Sequence, residues 1–396
     1  MADDLNPQSI TELAQALVRC PSRAGIDGYG PVLAVLEDWL AARSLPHRRL
    51  HDEAGAAVAL LVEIAGGRPG PWWTLDACVD TAPFGDESMW SFPPASGDIV
   101  DGWLLGRGAA DSKLAASMFC HIAADLAPRA DSLHGGLAVL LDVDEHTGRF
   151  GGARAYLADP YAARPAGVLI GYPGMNEVVV GGRGLWRATI TVRAPSGHSG
   201  SSRAVTGAIS RAAHLVRLLE DSELPTPQGD FPLPPKLTVT AFHGGEGFSV
   251  TPDRVDLNVD IRTTPDFTAE DAEALAQQAI AALTQETSAP TEVTPVASWP
   301  SFRLTEDDQP AAALLNAAAE SGLTVSPKTA GPSNIGNMLA AVGIPATAGF
   351  GVPYENLHAP DERAHLAELP TVYAVYRRAA LALLTPEAQA ASPEPS

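Results

Sequence analysis

Four short stretches of the 396-residue chain carry side chains that could do chemistry together. Cys78-Val79-Asp80-Thr81-Ala82-Pro83 closes an apolar run. Gly106-Arg107-Gly108-Ala109-Ala110-Asp111-Ser112-Lys113 is a glycine-rich turn entering a helical pattern. Asp142-Val143-Asp144-Glu145-His146 closes a second apolar run, and His358-Ala359-Pro360-Asp361-Glu362 lies late in the chain. Carboxylates and imidazoles gathered from separate strand ends suit a metal site, because zinc accepts His, Asp, Glu and Cys in near-tetrahedral geometry. A neighbouring carboxylate left off the metal can then take a proton from an activated water. Each stretch also has a plainer reading: Asp111 as a helix N-cap, His358 as a hydrogen-bonded structural histidine, Asp144-Glu145 as a solvated turn. Their order and spacing taken together favour a shared site.

The elements that would position these residues follow from apolar periodicity. A first helix begins at Ser9, with Ser9 and Glu12 as a capping-box pair, and stops at Pro21. A second covers Val32 to Arg43. Ala57–Ile64, Trp72–Cys78, Gly136–Val143 and Gly167–Gly171 are apolar strands, and Ser112–Leu126 is a helix. Strands alternating with helices imply an α/β sheet covered on its faces. After Gly182 the texture changes: strands at Leu185–Arg193, Lys236–Phe242, Val255–Arg262 and Thr291–Val296 alternate with helices at Ala204–Glu220 and Thr268–Leu283. That order is βαββαβ, the split arrangement of a small ferredoxin-like domain. The α/β texture then returns with a helix at Gln309–Ser321, a strand at Ala346–Phe350 and a closing helix at Leu369–Leu384. The expected organisation is a catalytic α/β domain in two parts, 1–181 and 297–384, interrupted by a lid at 182–296 and followed by a disordered tail at 385–396.

Composition narrows the partners. With 47 acidic against 26 basic residues the formal charge is −21, which argues against nucleic acid and against an anionic membrane surface, since both need a positive field. No apolar run is long enough to span a bilayer. The acidic start Met1-Ala2-Asp3-Asp4 lacks the layout of a secretory signal, and three cysteines (Cys20, Cys78, Cys120) make no disulfide framework. The expectation is a soluble cytoplasmic enzyme.

The chain resembles the aminoacylase, succinyl-diaminopimelate desuccinylase and glutamate carboxypeptidase family of co-catalytic zinc peptidases, from Ser9 to about Leu384. The resemblance rests on the stretch from Trp90 to Gly152, with Asp101–Lys113 (DGWLLGRGAADSK) and Val143–Gly152 (VDEHTGRFGG) at family spacing. It rests also on Ala194-Pro195-Ser196-Gly197-His198-Ser199-Gly200, on Val250-Thr251-Pro252-Asp253 through Asp260-Ile261-Arg262, and on Gly349-Phe350-Gly351 running to His358. It implies an inserted ferredoxin-like lid that commonly forms a homodimer.

Carried over residue by residue, the resemblance implies that Asp111 bridges two zinc ions, that His358 binds the first, and that Glu145 is the general base. Three positions depart from the pattern. His146 stands where a glutamate would bind the first zinc. Cys78 stands where a histidine would bind the second, and Tyr172 where an acidic residue would. Asp80 matches the residue that orients the missing histidine. Asp111, His146 and His358 still make a three-ligand zinc site with an open position, a set that also suits iron, cobalt or manganese. Cys78 and Tyr172 are weak candidates for a second site, because a phenol with a pKa near 10 is a poor ligand at neutral pH. Cys78 could instead be a core thiol or a nucleophile. His198 matches a lid histidine that reaches the partner subunit's oxyanion, while Arg262, Ser333 and Asn334 match substrate-binding positions. The expected function is metal-dependent hydrolysis of a small N-acyl amino acid or short peptide with one zinc retained. The alternatives are another reaction on the same fold, such as acyl transfer or a biosynthetic step without metal, or a non-catalytic binding protein.

Overall fold

In the computed structural model, residues 6–202, 206–227 and 229–385 are described. Its centre is a nine-stranded mixed sheet. The order runs His47–His51, Ala57–Ala65, His134–Asp142, Arg68–Cys78, Pro165–Gly171, Ala346–Phe350, Glu177–Gly182 and Phe302–Arg303, with Ser326–Ala330 pairing beside Glu177–Gly182. Four neighbours in the middle, His134–Asp142, Arg68–Cys78, Pro165–Gly171 and Ala346–Phe350, are mutually parallel. They are buried on both faces, which is why they read as continuous apolar runs rather than alternating ones. Their carboxyl ends therefore open at one edge of the sheet, and Cys78, Glu145, Tyr172 and His358 all follow such ends. In open α/β sheets that is where ligands bind.

One face of the sheet packs on the helices Pro7–Val18, Gly30–Ala41, Leu114–Leu126, Ala311–Glu320 and Leu369–Leu384. Phe119 and Tyr376 meet edge-on there, 4.9 Å between ring centres. The other face is covered by Gly151–Ala158 and Ile335–Ala341, through Phe150, Tyr156 and Met338. A second, four-stranded antiparallel sheet has the order Lys236–His243, Arg254–Thr263, Gly184–Arg193, Thr291–Trp299. The helices Ala208–Glu220 and Ala269–Thr287 cover it through a separate core that includes Trp186, Leu215, Leu257 and Leu283. Its sequence order is βαββαβ, as the periodicity implies.

Several boundaries differ from the sequence expectation. The first helix is capped by Asn6, whose side chain accepts from the Ser9 amide, so Ser9 lies inside the helix rather than at its cap. The helix expected from Ser112 starts at Leu114, because Asp111 and Ser112 take non-helical backbone angles. The helix expected from Ala204 starts at Ala208, and residues 203–205 lie outside the described part. Of the tail expected at 385–396, residues 386–396 lie outside it as well. His47–His51, Gly151–Ala158, Glu177–Gly182 and Ile335–Ala341 carry no strong apolar period, being polar, glycine-bearing or short, and only the fold discloses them.

Two carboxyl groups sit inside the sheet just behind the strand ends. Asp76 is 1% exposed and Asp142 0%. Burial, and after it the neighbouring carboxylates, push Asp142 well above the usual carboxylate range. Burial lifts Asp76 to about 7 although its hydrogen bond with Asp142 pulls the other way. Such a pair holds a proton between its oxygens. Unfolded aspartates titrate near ~3.9, so the folded pair binds more protons than the unfolded chain above that pH. Its contribution is fully present below about pH 4 and is lost as pH rises through 7. Asp142→Asn supplies a permanent donor and one charge fewer. Thermal melts across pH 5 to 8.5 are expected to show a flatter profile for this variant and a melting temperature at least about 2 °C above the parent at pH 8.

Candidate active site

The turn that carries Asp111 is held from beneath. Gly108 has φ +84°, and a Cβ there would lie 2.6 Å from the Thr81 side chain, so only glycine fits. Glu362, 0% exposed, accepts from Arg107 Nη1 at 2.6 Å and from the backbone amides of Gly108 and Ala110 at 3.0 and 3.2 Å. Arg107 is itself buried and lies over the Trp90 ring, 5.2 Å from its centre. This clamp presents Asp111 with its two oxygens facing different ways. Oδ2 lies 3.0 Å from His358 Nε2 and 3.5 Å from His146 Nε2. Oδ1 accepts from Ser112 Oγ at 2.8 Å and faces the Cys78 thiol at 3.7 Å. Burial alone would raise the Asp111 carboxyl, but the two imidazoles outweigh it and hold it below the usual range.

Asp80 does for the second loop what Glu362 does for the first. It is fully buried, and its two oxygens accept from the backbone amides of Glu145 and His146 at 3.2 and 3.1 Å. Glu145 is thereby aimed into the cavity. Burial raises its carboxyl to about 7, with Asp111 and Asp80 adding to the rise and His146 and His358 opposing it. A base poised near neutrality is well matched to moving a proton at that pH. Burial would lower His146, yet Asp111 and Asp80 overcome this and lift it to about 11. His358 sits with φ +59°, in the left-handed region that a non-glycine residue adopts at a cost, often at functional sites.

Asp111, His146 and His358 place one carboxylate oxygen and two ring nitrogens within 4.8 Å of one another. Both His146 nitrogens are buried with no hydrogen-bond partner among the described residues. Those nitrogens lie 3.4 to 3.5 Å from the carboxylates of Asp80, Asp111 and Glu145, and imidazoles beside a carboxylate are a donor set that a divalent metal satisfies, so these residues fit one. On the opposite side of Asp111 stand a thiol and a phenol. Without an ion there, burial, with Asp111 and Glu145 after it, raises both the Cys78 thiol and the Tyr172 phenol. Cys78 also groups with Glu145 and His146 within 4.8 Å, but a protonated thiol among carboxylates is a poor nucleophile.

These groups open into a cavity of about 400 Å³. Ile170, Val179, Ala330, Ile335, Ala348 and Leu357 form much of its wall, and among the described residues no lysine or arginine lines it. Ser333 and Asn334 line it too, at the start of the helix Ile335–Ala341, where the Asn334 side chain caps the Gly336 amide. Arg262 reaches the rim by donating to Ser333 Oγ at 3.2 Å, while its fork is engaged by Asp260 at 2.7 Å. Arg183, which the sequence reading passed over, packs against the same turn. It donates to the carbonyls of Gly331 and Pro234, and its backbone oxygen accepts from Ser333. Its only sequence signal is its place between Gly182 and Gly184, at the junction of the two sheets. His198 is exposed on a two-residue strand that pairs antiparallel with Val250–Thr251, and it is not among the residues lining the cavity.

The model of peptidase family M20/M25/M40 matches residues 76–382. The chain belongs to that family. It is 28% identical to a succinyl-diaminopimelate desuccinylase of Cereibacter sphaeroides over 94% of this chain and 98% of the relative. Its fold matches a tripeptidase of Staphylococcus aureus with a TM-score of 0.76 at 19% identity, covering 95% of this chain and 98% of the other. It also matches a dinuclear metal-binding M20 peptidase of Bacillus subtilis with a TM-score of 0.71 at 16% identity, covering 96% and 98%. As an M20 enzyme it is a metal-dependent hydrolase of amide bonds in small peptides or acyl amino acids. Within the M20 frame, Glu362 is the residue whose part sequence reasoning missed: it stands in the late motif, but its partners lie more than 250 residues away. Glu362→Gln is expected to lower metal affinity about 10- to 100-fold, read by calorimetric zinc titration, together with a lower melting temperature from the unpaired Arg107. Unchanged zinc affinity would mean that the clamp does not govern Asp111.

Proposed function

We propose that the protein is a mononuclear M20 amidohydrolase that removes an uncharged acyl or aminoacyl group from a small amino acid. The observation that carries this is the division around Asp111: two imidazoles on one side, and on the other a thiol and a phenol rather than a second set of carboxylate and imidazole ligands. Asp111, His146 and His358 would hold one ion, and their chemistry favours zinc, with cobalt, manganese or iron as substitutes. When bound, the ion supplies Lewis acidity to a water and to the scissile carbonyl. Glu145 takes a proton from the attacking water as the new C–O bond forms and the carbonyl π pair moves onto oxygen. It returns that proton to the amine nitrogen as the C–N bond breaks. Arg262 and Ser333 lie where they would orient the substrate carboxylate.

The wall of the cavity supports the substrate class. A succinyl group would bring a second carboxylate against Ile170, Val179 and Leu357, where no lysine or arginine lines the space among the described residues, and a buried unpaired charge is costly. Two further parts of the reading have weaker support. Homodimerisation through the lid is supported by the unpaired outer edge of Lys236–His243 and by the exposed Phe248 and Val250 beside it, and it would bring His198 of one subunit to the site of the other. A cytoplasmic setting is supported by three free cysteines. Among the described residues no helix is long and apolar enough to cross a membrane.

Plasma mass spectrometry on protein prepared without chelator is expected to give about one zinc per chain. Glu145→Ala should keep that zinc and lose about 10²- to 10⁴-fold in kcat; full turnover in this variant would sink the mechanism. With N-acetyl-, N-hexanoyl- and N-succinyl-alanine as substrates, kcat/KM should favour the best uncharged acyl group over succinyl by at least about tenfold. A preference for succinyl would show that a cation outside the cavity wall reads the acyl end.

A further inference from the structure

We infer that the Tyr172 hydroxyl is a catalytic hydrogen-bond donor to the carbonyl oxygen of the substrate, standing where a second metal ion would otherwise draw charge. The inference rests on the proposed hydrolysis and adds to it the group that stabilises the tetrahedral oxyanion.

The placement carries the argument. Tyr172 directly follows Gly171, the last residue of a central parallel strand. The backbone there is tightly held. A Cβ on Gly171 would lie 2.6 Å from Ala115, one on Gly351 would lie 2.0 Å from the Tyr172 carbonyl oxygen, and the Tyr376 hydroxyl donates to the neighbouring Phe350 carbonyl. The ring projects into the cavity beside Cys78, Asp111, Glu145 and His358. Its hydroxyl has no hydrogen-bond partner among the described residues. A buried phenol usually finds a partner within the protein, so a hydroxyl left open in a cavity shared with the base is available to a ligand. The substrate carbonyl must point one face at Glu145 and its water, and its oxygen then needs a donor.

Chemically the step is a strengthening hydrogen bond. As water adds, negative charge grows on the carbonyl oxygen while the proton released goes to Glu145. The phenol keeps its own proton throughout and shares it with that oxygen. When the tetrahedral species collapses, the electron pair returns to carbon, the C–N bond breaks and the hydroxyl is left as it began. A donor aimed at charge that exists only in the transition state accelerates the reaction without tightening substrate binding. A neutral donor also suits this side of Asp111, where the acid, the thiol and the base leave no additional carboxylate to balance a second cation.

The test is Tyr172→Phe in the zinc-loaded full chain, which keeps the ring and removes the hydroxyl. Zinc content and melting temperature should stay at parental values. On N-hexanoyl-alanine, kcat should fall about 10²- to 10³-fold with KM within about threefold. Calorimetry with a phosphinic isostere of N-hexanoyl-alanine should show an affinity loss that tracks the loss in kcat/KM, while the affinity for hexanoate, a product, should change less than about threefold. A variant that retains kcat within about twofold, or that loses its zinc, overturns the role assigned to Tyr172 and leaves the proposed function standing. Parental protein that neither hydrolyses the amide nor binds the phosphinate overturns the proposed function and this inference with it.

Discussion

A carboxylate taken out of water must be met by donors or give up its charge. Four such groups lie behind this site, and the structure answers them in two ways. Asp80 and Glu362 are met by backbone amides, and Glu362 by Arg107 as well. Because those amides belong to the very loops that carry Glu145, His146 and Asp111, satisfying a buried charge and positioning a reactive side chain are one event. Asp76 and Asp142 have no such donors and keep a proton between them instead. The sheet provides the direction in which the loops leave, and the buried carboxylates decide where each loop stops.

The same electrostatic reasoning sets the character of the cavity. Asp111 is the hinge: one oxygen serves imidazoles that can coordinate a cation, and the other meets a thiol and lies beside a phenol. Substituting Cys78 and Tyr172 into a frame that elsewhere carries two ions, as in the B. subtilis M20 structure, changes more than ligand count. It removes negative charge from one side and leaves polar hydrogens there. The cavity wall continues this trend, with Ile170, Val179 and Leu357 continuing the neutral surface away from the metal side.

Much of the architecture was legible because central strands buried on both faces are spelled as unbroken apolar runs and covering helices as periodic ones. The strand Ala346–Phe350 and the helix Leu369–Leu384 have the limits their periodicity implies. Short or polar elements were silent: His47–His51 is an edge strand of mostly polar residues, and Gly151–Ala158 opens with two glycines. At the site, residue types pointed to four stretches and the family resemblance within them to Asp111, His146 and His358, whose donor atoms the fold brings within reach of one another. What spacing could not convey was which partner a polar residue meets across the fold. The bonds of Glu362 to Gly108, of Asp80 to Glu145 and of Arg183 to Gly331 are all long in sequence, and nothing local distinguishes these residues from surface charge. The capping role of Asn6 was missed for the opposite reason, since Ser9 offered an equally good local pattern three residues later.

The hydrogen bond between His358 and Asp111 spans 247 positions of sequence. During synthesis, the turn bearing Asp111 and the loop bearing His146 leave the ribosome long before the histidine that completes them. Until then the chain offers a passing cation only part of a binding set, and the loop around Asp111 lacks Glu362, which arrives four residues after His358. Capture of the ion is therefore deferred to the end of translation, when the last strand of the parallel group has docked. A polypeptide arrested earlier can acquire most of its helices and still lack the full donor set for a metal, which makes metal retention a signature of the finished chain.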